Sequence, residues 1–196
     1  MSQEIEIEFK NLLTKEQYEM LLKEFNIAPD KIKRQVNHYF DTPNWHLKNL
    51  SSGLRIRETA AKFVCTLKEK TSQHTHLETT DIISPEEASN MLQGKEFLAP
   101  TVLAKLQQLQ VPVNELQVFG SLTTDRVEFP FENGTLVLDH SFYLNSHDYE
   151  VEYETYDEII GSTIFNNFLI KYDIEIKRTD KKIARFMKAL HSQKKG

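Results

Sequence analysis

The chain has 196 residues, 39% of them hydrophobic, enough to bury one sizeable core and better suited to a single domain than to two. A net charge of -5 and a pI near 5.8 argue against a nucleic-acid polymer or an anionic membrane as partner. The one cysteine, Cys65, excludes an intrachain disulfide; the start MSQEIE has no basic region followed by an apolar stretch, and no apolar run nears the ~20 residues of a bilayer crossing, so a cytoplasmic protein is expected.

The first segment, EIEIEFK, alternates Ile5, Ile7 and Phe9 with Glu4, Glu6, Glu8 and Lys10, the period of a strand with one apolar and one charged face. In TKEQYEMLLKEF, Thr14 is an N-cap with Gln17 three residues on, and Tyr18, Leu21, Leu22 and Phe25 share one helical face. RQVNHYFDTP reads as a strand ended by a turn at Asp41, Thr42 and Pro43, and WHLKNLSSG leads through Gly53 into the alternating LRIRET. KFVCTLKEK and HTHLETTDII are two further strands. SPEEASNML then carries Ser84 as N-cap, Pro85 at the first helical position and Glu87 completing a capping box, and a second helical piece follows through Val102, Leu103 and Leu106. LQVFGSLTTDRVEFPF, GTLVLDHSFYL and SHDYEVEYET supply the later strands, the first two joined by a turn at Glu132, Asn133 and Gly134. Ile160, Ile164, Phe165 and Phe168 mark a third helix, and Ile183, Phe186, Met187 and Leu190 a fourth. HSQKKG, residues 191–196, reads as a frayed tail beyond a single domain over 1–190.

The polar parity of nearly every strand is charged: Glu4, Glu6, Glu8 and Lys10; Arg55 and Arg57; Thr66, Lys68 and Lys70; Glu78 and Thr80; Arg126 and Glu128; Asp139; Glu150, Glu152 and Glu154. The opposite parity is apolar, with Leu54, Ile56, Phe63, Cys65, Leu67, Val127, Phe129, Leu136, Leu138, Val151 and Tyr153, and this is the side that amphipathic helices can cover. The charged side is then either an open polar surface or the inside of a closed barrel. Mixed signs favour the barrel, because Arg and Lys suit phosphate oxygens and clustered carboxylates suit a hard divalent cation.

Glu6, Glu8 and Lys10 form an ExExK stretch that resembles the signature of the CYTH domain, or triphosphate tunnel metalloenzyme, family. HYFDTPNWHLKNLSSGLRIRE resembles the family's second signature, with Arg55 and Arg57; CTLKEK supplies Lys68, HLET Glu78, TTDR Arg126, LVLD Asp139 and YEVEYE the pair Glu150 and Glu152. The style is most similar to the small stand-alone CYTH proteins of Gram-positive bacteria, except that Lys181 and Lys182 precede Arg185 where the family usually shows Ser-Lys.

The resemblance implies an α+β fold, a closed eight-stranded antiparallel β-barrel with helices packed outside and a triphosphate along its axis. It also implies that Lys10, Arg55, Arg57, Lys68, Arg126 and Lys182 bind phosphates, and that Glu6, Glu8, Asp139, Glu150 and Glu152 hold Mg2+ or Mn2+. Glu6, Glu8, Lys10 and Glu152 are the implied catalytic residues, with Glu78 and Glu128 as further tunnel positions. The expected function is metal-dependent hydrolysis of a small triphosphate, inorganic triphosphate first; the alternatives are a class IV adenylate cyclase, a thiamine triphosphatase and a non-catalytic polyphosphate or nucleotide sensor. A monomer and a homodimer are both open. Cys65 is expected to be packed, Asp41 to form a turn, His74 and His76 to lie on the surface, and Glu4 and Glu154 to reach solvent at the tunnel mouths.

Overall fold

The structure, a computed structural model, describes residues 2–177 and 179–193. Its elements are β1 (Ser2–Leu13), α1 (Lys15–Glu24), β2 (Lys33–Asp41), α2 (His46–Asn49), β3 (Gly53–Thr59), β4 (Phe63–Lys70), β5 (Thr75–Ile83), α3 (Pro85–Leu92), α4 (Pro100–Gln108), β6 (Gln117–Phe131), β7 (Gly134–Tyr143), β8 (Ser146–Thr155), α5 (Glu158–Lys171) and α6 (Lys182–Gln193). The strands close into an antiparallel barrel in the order β1-β5-β4-β3-β2-β6-β7-β8, with the helices outside, as the alternating faces anticipate. Residues 194–196 of the expected frayed tail lie outside the described residues. Among the described residues no helix is long and apolar enough to cross a membrane.

The chain divides into two compact units, one made of the start through Ile5 with Gln35–Leu122, the other of Glu6–Arg34 with Thr123 onward. In the first, Leu54, Ile56, Cys65 and Leu67 of β3 and β4 are fully buried against Leu47 of α2, Ala88 and Met91 of α3, and Val102 and Leu106 of α4. Ser84 and Glu87 form the expected capping box of α3. At the start of α4, whose Ala99 cap offers no side-chain acceptor, the buried Asp81 carboxylate accepts instead from the Thr101 and Val102 amides at 2.7 and 2.9 Å.

In the second unit, Phe9, Leu13, Val127, Leu136, Leu138, Val151 and Tyr153 form the apolar sheet face beneath Tyr18 and Leu21 of α1 and Ile164, Phe165, Phe168 and Leu169 of α5. Thr14 and Gln17 close the expected capping box of α1. Of the residues that mark this helix, Ile164, Phe165 and Phe168 are buried and Ile160 is half exposed, and the first turn of α5 sets Gly161 against the sheet. A Cβ at Gly161 would lie 2.4 Å from Thr155 Cγ2 and 3.0 Å from Phe9 Cε2. Helix propensity favours Ala over Gly by about 1 kcal/mol, but overpacking costs about 1–3 kcal/mol, so close approach decides the sign. Gly161→Ala is expected to lower unfolding free energy by about 1–2 kcal/mol in urea denaturation; an equal or higher midpoint would show that helix and sheet can separate freely.

Candidate active site

The polar face of β1, β6, β7 and β8 is assembled row by row. Antiparallel register sets Arg126 opposite Asp139 and Asp139 opposite Glu150; in the next row Lys10 lies opposite Glu152, and in the one after Glu8 lies opposite Glu154. Opposed residues share a face, so strand alternation alone brings these charges together. The Arg126 guanidinium donates to both oxygens of Asp139, Nε at 2.7 Å and Nη2 at 2.6 Å, and to Glu152 Oε2 at 2.6 Å.

α6 adds two cations. Lys182 Nζ lies 2.8 Å from Asp139 Oδ2 and also donates to Glu150 and Glu152. Arg185 pairs with Asp148 through Nε at 2.8 Å and Nη2 at 3.1 Å, and its Nη1 donates to Glu150 Oε2 at 2.6 Å. The resemblance notes Arg185 after Lys182 but gives it no role; the signal for one is the three-residue step from Lys182, which puts both cations on one face of a helix. Tyr143 Oη donates to Asp148 at 2.6 Å and completes the cluster.

Four carboxylates, of Asp139, Asp148, Glu150 and Glu152, thus face three cations, and Asp139 and Glu150 are fully buried. Burial pushes the Glu150 carboxyl up to about 7, despite Lys182 and Arg185. Burial also works against ionising Glu152, but Lys182, Arg126 and Lys10 overcome it and hold that carboxyl well below the usual carboxylate range. Desolvation of Lys182 is likewise overcome by Asp139, Glu150 and Glu152, so the ammonium stays charged well above its ordinary pKa.

Asp139, Glu150 and Glu152 each offer an oxygen, all three oxygens within 4.8 Å of one another and buried. An all-oxygen, all-carboxylate set suits a hard divalent cation, and these oxygens already surround the Lys182 ammonium, so the residues fit Mg2+ or Mn2+. Glu8 is buried and bound by Lys10. Glu128, on the same face as Arg126, is 53% exposed, with its oxygen 3.7 Å from Arg126 Nη1. Glu154 corrects an expectation in part: unlike the exposed Glu4 it is partly buried and only partly open to solvent. Burial pushes its carboxyl up to about 7, with Glu152, Glu6 and Glu8 adding to the shift against Arg126.

In the other unit Arg57 lies opposite Asn37, Arg55 opposite Tyr39 and Thr66, and Lys68 opposite Glu78. The buried Asn37 accepts from Arg57 Nε at 3.0 Å and fixes the guanidinium along the strand, a positioning role that its polar parity in β2 signals. Lys68 Nζ is 3.5 Å from Glu78. Asp41 is a turn residue as expected: its buried carboxylate accepts from the amides of Thr42, Leu47 and Lys48 at 2.8, 3.0 and 3.0 Å, capping α2. Cys65 is fully buried, as expected, and burial drives its thiol pKa up. His76 is a second correction, because it is 3% exposed rather than on the surface; it shares the parity of Glu78 in β5 and so turns with the strand's polar face.

A barrel whose polar strand face gathers buried carboxylates and cations defines a protein built to hold charged groups. The CYTH domain model matches residues 4–187, and the chain belongs to the CYTH family. It is 42% identical to the "Putative triphosphatase YjbK" of Bacillus subtilis (strain 168), across 95% of this chain and 96% of that protein. The crystal structure of a "putative adenylate cyclase" from Bacillus halodurans is 40% identical, with a TM-score of 0.90 over 95% of this chain and 99% of that one. A Hippeastrum protein, a "Putative adenylyl cyclase" said to reveal a dominant triphosphatase activity, shares the fold at a TM-score of 0.78 and 24% identity, over 94% of this chain and 95% of that one.

The Glu154 carboxyl yields a pH prediction. Its folded pKa of about 7 stands above the ordinary 4.5, so its contribution to stability is complete below about pH 4.5 and is lost as pH rises through 7. Discounted for partial exposure, the loss is about 1–2 kcal/mol. Glu154→Gln should therefore be more stable than the wild type by about that amount at pH 8 and not at pH 5, by urea denaturation in chelator. Parallel stability curves for the two proteins would place Glu154 in water-like surroundings.

Proposed function

We propose that the chain is a divalent-metal-dependent triphosphatase, with inorganic triphosphate as its first substrate, and that residues 1–190 act as one CYTH domain. The observation that carries the reading is the buried set of Asp139, Glu150 and Glu152 around Lys182 and Arg126. Each buried ion carries a desolvation penalty of several kcal/mol, and packed hydrophobic residues would serve stability as well or better. Charges kept in such a place are explained by a charged ligand. The curated relative at 42% identity, whose name assigns it a triphosphatase activity, supports the same reaction.

In this reading Lys10, Arg55, Arg57, Lys68, Arg126 and Lys182 bind phosphate oxygens. Glu6, Glu8, Asp139, Glu150 and Glu152 hold Mg2+ or Mn2+, and Glu78 and Glu128 are further polar positions along the strands. When bound, the metal neutralises phosphate charge and lowers the pKa of a water. Glu6, Glu8, Lys10 and Glu152 form the catalytic set: the carboxylates hold the cation and Lys10, paired with Glu8, orients it. Phosphoryl transfer is promoted mainly by positioning and charge stabilisation, so water replaces the bridging oxygen at the terminal phosphorus, and diphosphate and phosphate leave without a covalent enzyme intermediate.

The name of the Bacillus halodurans neighbour favours a second reading, adenylate cyclase, in which the ribose hydroxyl of ATP replaces water. Product analysis separates the two. With Mg2+ or Mn2+ the protein is expected to release phosphate from inorganic triphosphate and to form no cyclic AMP from ATP. Chelation should abolish release, and Glu152→Gln should lower kcat by about 100-fold or more. Full activity after exhaustive chelation ends the metal mechanism; cyclic AMP as the main product moves the chain to the second reading.

Triphosphate should also raise the melting temperature, since a ligand at a hundredfold excess over Kd stabilises the folded state by about 2.7 kcal/mol. Arg57→Ala is expected to blunt that shift. An undiminished shift in a folded Arg57→Ala variant would put Arg57 outside the phosphate site.

A further inference from the structure

The outer parity of β7 runs Leu136, Leu138, His140 and Phe142, and that of β8 runs Tyr153, Val151, Tyr149 and His147. The first two residues of each row are buried with α1 and α5; further along, each strand places a histidine on the same face. Register sets His140 opposite Tyr149 and Phe142 opposite His147, so the histidines are diagonal neighbours across one hairpin, Tyr143 pairing with Ser146 at its turn. His140 Nε2 and His147 Nδ1 lie 3.0 Å apart, one nitrogen carrying the hydrogen and the other accepting it.

Both rings are held in place. His140 is half-buried, stacked on Tyr149 with centroids 4.2 Å apart and set against Phe142 at 4.0 Å, and Tyr149 is backed by Tyr18 of α1 at 4.9 Å. His147 is exposed, so the pair opens to solvent, and its ring lies within 15° of parallel to Phe142. Imidazoles fixed in this way have met much of the ordering cost of sharing a ligand. Arg34, whose guanidinium reaches over the Phe142 ring at 5.8 Å, has its charge balanced by Asp125, which accepts from it at 2.7 and 2.8 Å. It therefore does little to oppose a further cation beside the rings.

Ring spacing decides which ion suits the pair. In a tetrahedral Zn2+ site each Zn–N bond is about 2.0–2.1 Å and a ring nitrogen lies about 1.1 Å from its ring centre, so two ligating imidazoles have centroids about 5.2 Å apart. A right-angled pair of ligands, as in the tetragonal sites of Cu2+ and Ni2+, gives about 4.5 Å. The His140 and His147 centroids are 5.2 Å apart. Their nitrogens have only to open from 3.0 Å to about 3.3 Å, a rotation of the rings rather than a movement of the strands.

We propose that His140 and His147 form a two-imidazole site for Zn2+ on the outer face of the β7–β8 hairpin. The ion takes the place of the hydrogen between the rings. Both neutral rings then carry their hydrogen on the far nitrogen, His140 Nδ1 and His147 Nε2, and both near lone pairs go to the metal. Water fills the other two positions, which makes the site weaker than a closed structural one, with Kd on the order of 10 µM. Nitrogen ligands separate it in kind from the oxygens of Asp139, Glu150 and Glu152, which suit a hard cation. Those carboxylates lie on the inner parity of the same two strands, so bound Zn2+ ties together from outside the hairpin that carries them.

Calorimetric titration with Zn2+ in about 10 mM Mg2+, which occupies oxygen sites and competes poorly for imidazole, tests the proposal. One Zn2+ should bind per chain, and His147→Gln and His140→Gln should each weaken it at least about tenfold. His147 is exposed, so His147→Gln keeps the fold, which an unchanged urea midpoint in chelator verifies. Co2+ in place of Zn2+ should give the intense visible absorption of tetrahedral coordination, and either variant should lose it. Unchanged Zn2+ affinity in folded His147→Gln overturns the proposal. So do a Co2+ spectrum of octahedral form, Zn2+ that Mg2+ displaces, and no binding up to about 1 mM Zn2+.

Discussion

Lys182 Nζ, donating to Asp139, Glu150 and Glu152 at once, is the contact on which the polar strand face depends. Three carboxylates drawn within ligand distance of one another in a dry environment repel by several kcal/mol per pair at an effective dielectric near 20. Arg126 lies against Asp139 and Glu152 on one side and Lys182 against all three on the other, and burial raises the Glu150 carboxyl pKa. The same three carboxylates offer oxygens close enough together to suit a small hard cation.

α6 shows why the terminal helix matters to that arrangement. Lys182 and Arg185 sit one turn apart and reach different rows of β7 and β8, Lys182 to Asp139, Glu150 and Glu152, Arg185 to Asp148 and Glu150. Glu150 is shared by both cations, so neither can be moved without changing the charge balance of the other. The apolar side of the helix, with Phe186 and Met187 buried, fixes where those cations fall. The family resemblance is weakest at Lys181-Lys182, yet Lys182 contacts three carboxylates of the cluster. A charged helix face reaching a charged strand face leaves little trace in a local motif, whereas the i, i+3 spacing of Lys182 and Arg185 is readable in the sequence.

Strands are legible because a two-residue period leaves no choice of face: once Ile5, Ile7 and Phe9 fix the apolar side, Glu6, Glu8 and Lys10 must share the other. The capping boxes at Thr14 and Ser84 are legible for a similar reason, being local geometry written in four residues. Misplaced residues stand where depth along a strand, rather than parity, decides exposure. His76 and Glu154 both have the polar parity, but alternation says nothing of how far from a strand's end solvent reaches.

Taken together, the two surfaces invert the usual partition of charge. Buried strand positions hold Glu8, Asp139, Glu150 and Glu152, while the exposed side of α5 holds isoleucines, threonine and asparagines. Composition alone cannot reveal this, because 39% hydrophobic and 27% charged residues are ordinary totals. Both departures carry a penalty in the isolated chain, one from desolvated ions and one from apolar surface left in water. The penalties lie on opposite faces of β8 and the helix that follows it: Glu150 and Glu152 belong to the polar face of that strand, while Val151 and Tyr153 pack beneath the buried face of α5. A single segment, from Glu150 to Lys171, therefore passes from the most charged part of the chain to its least charged surface within 22 residues, and the core between them is what keeps the two from sharing solvent.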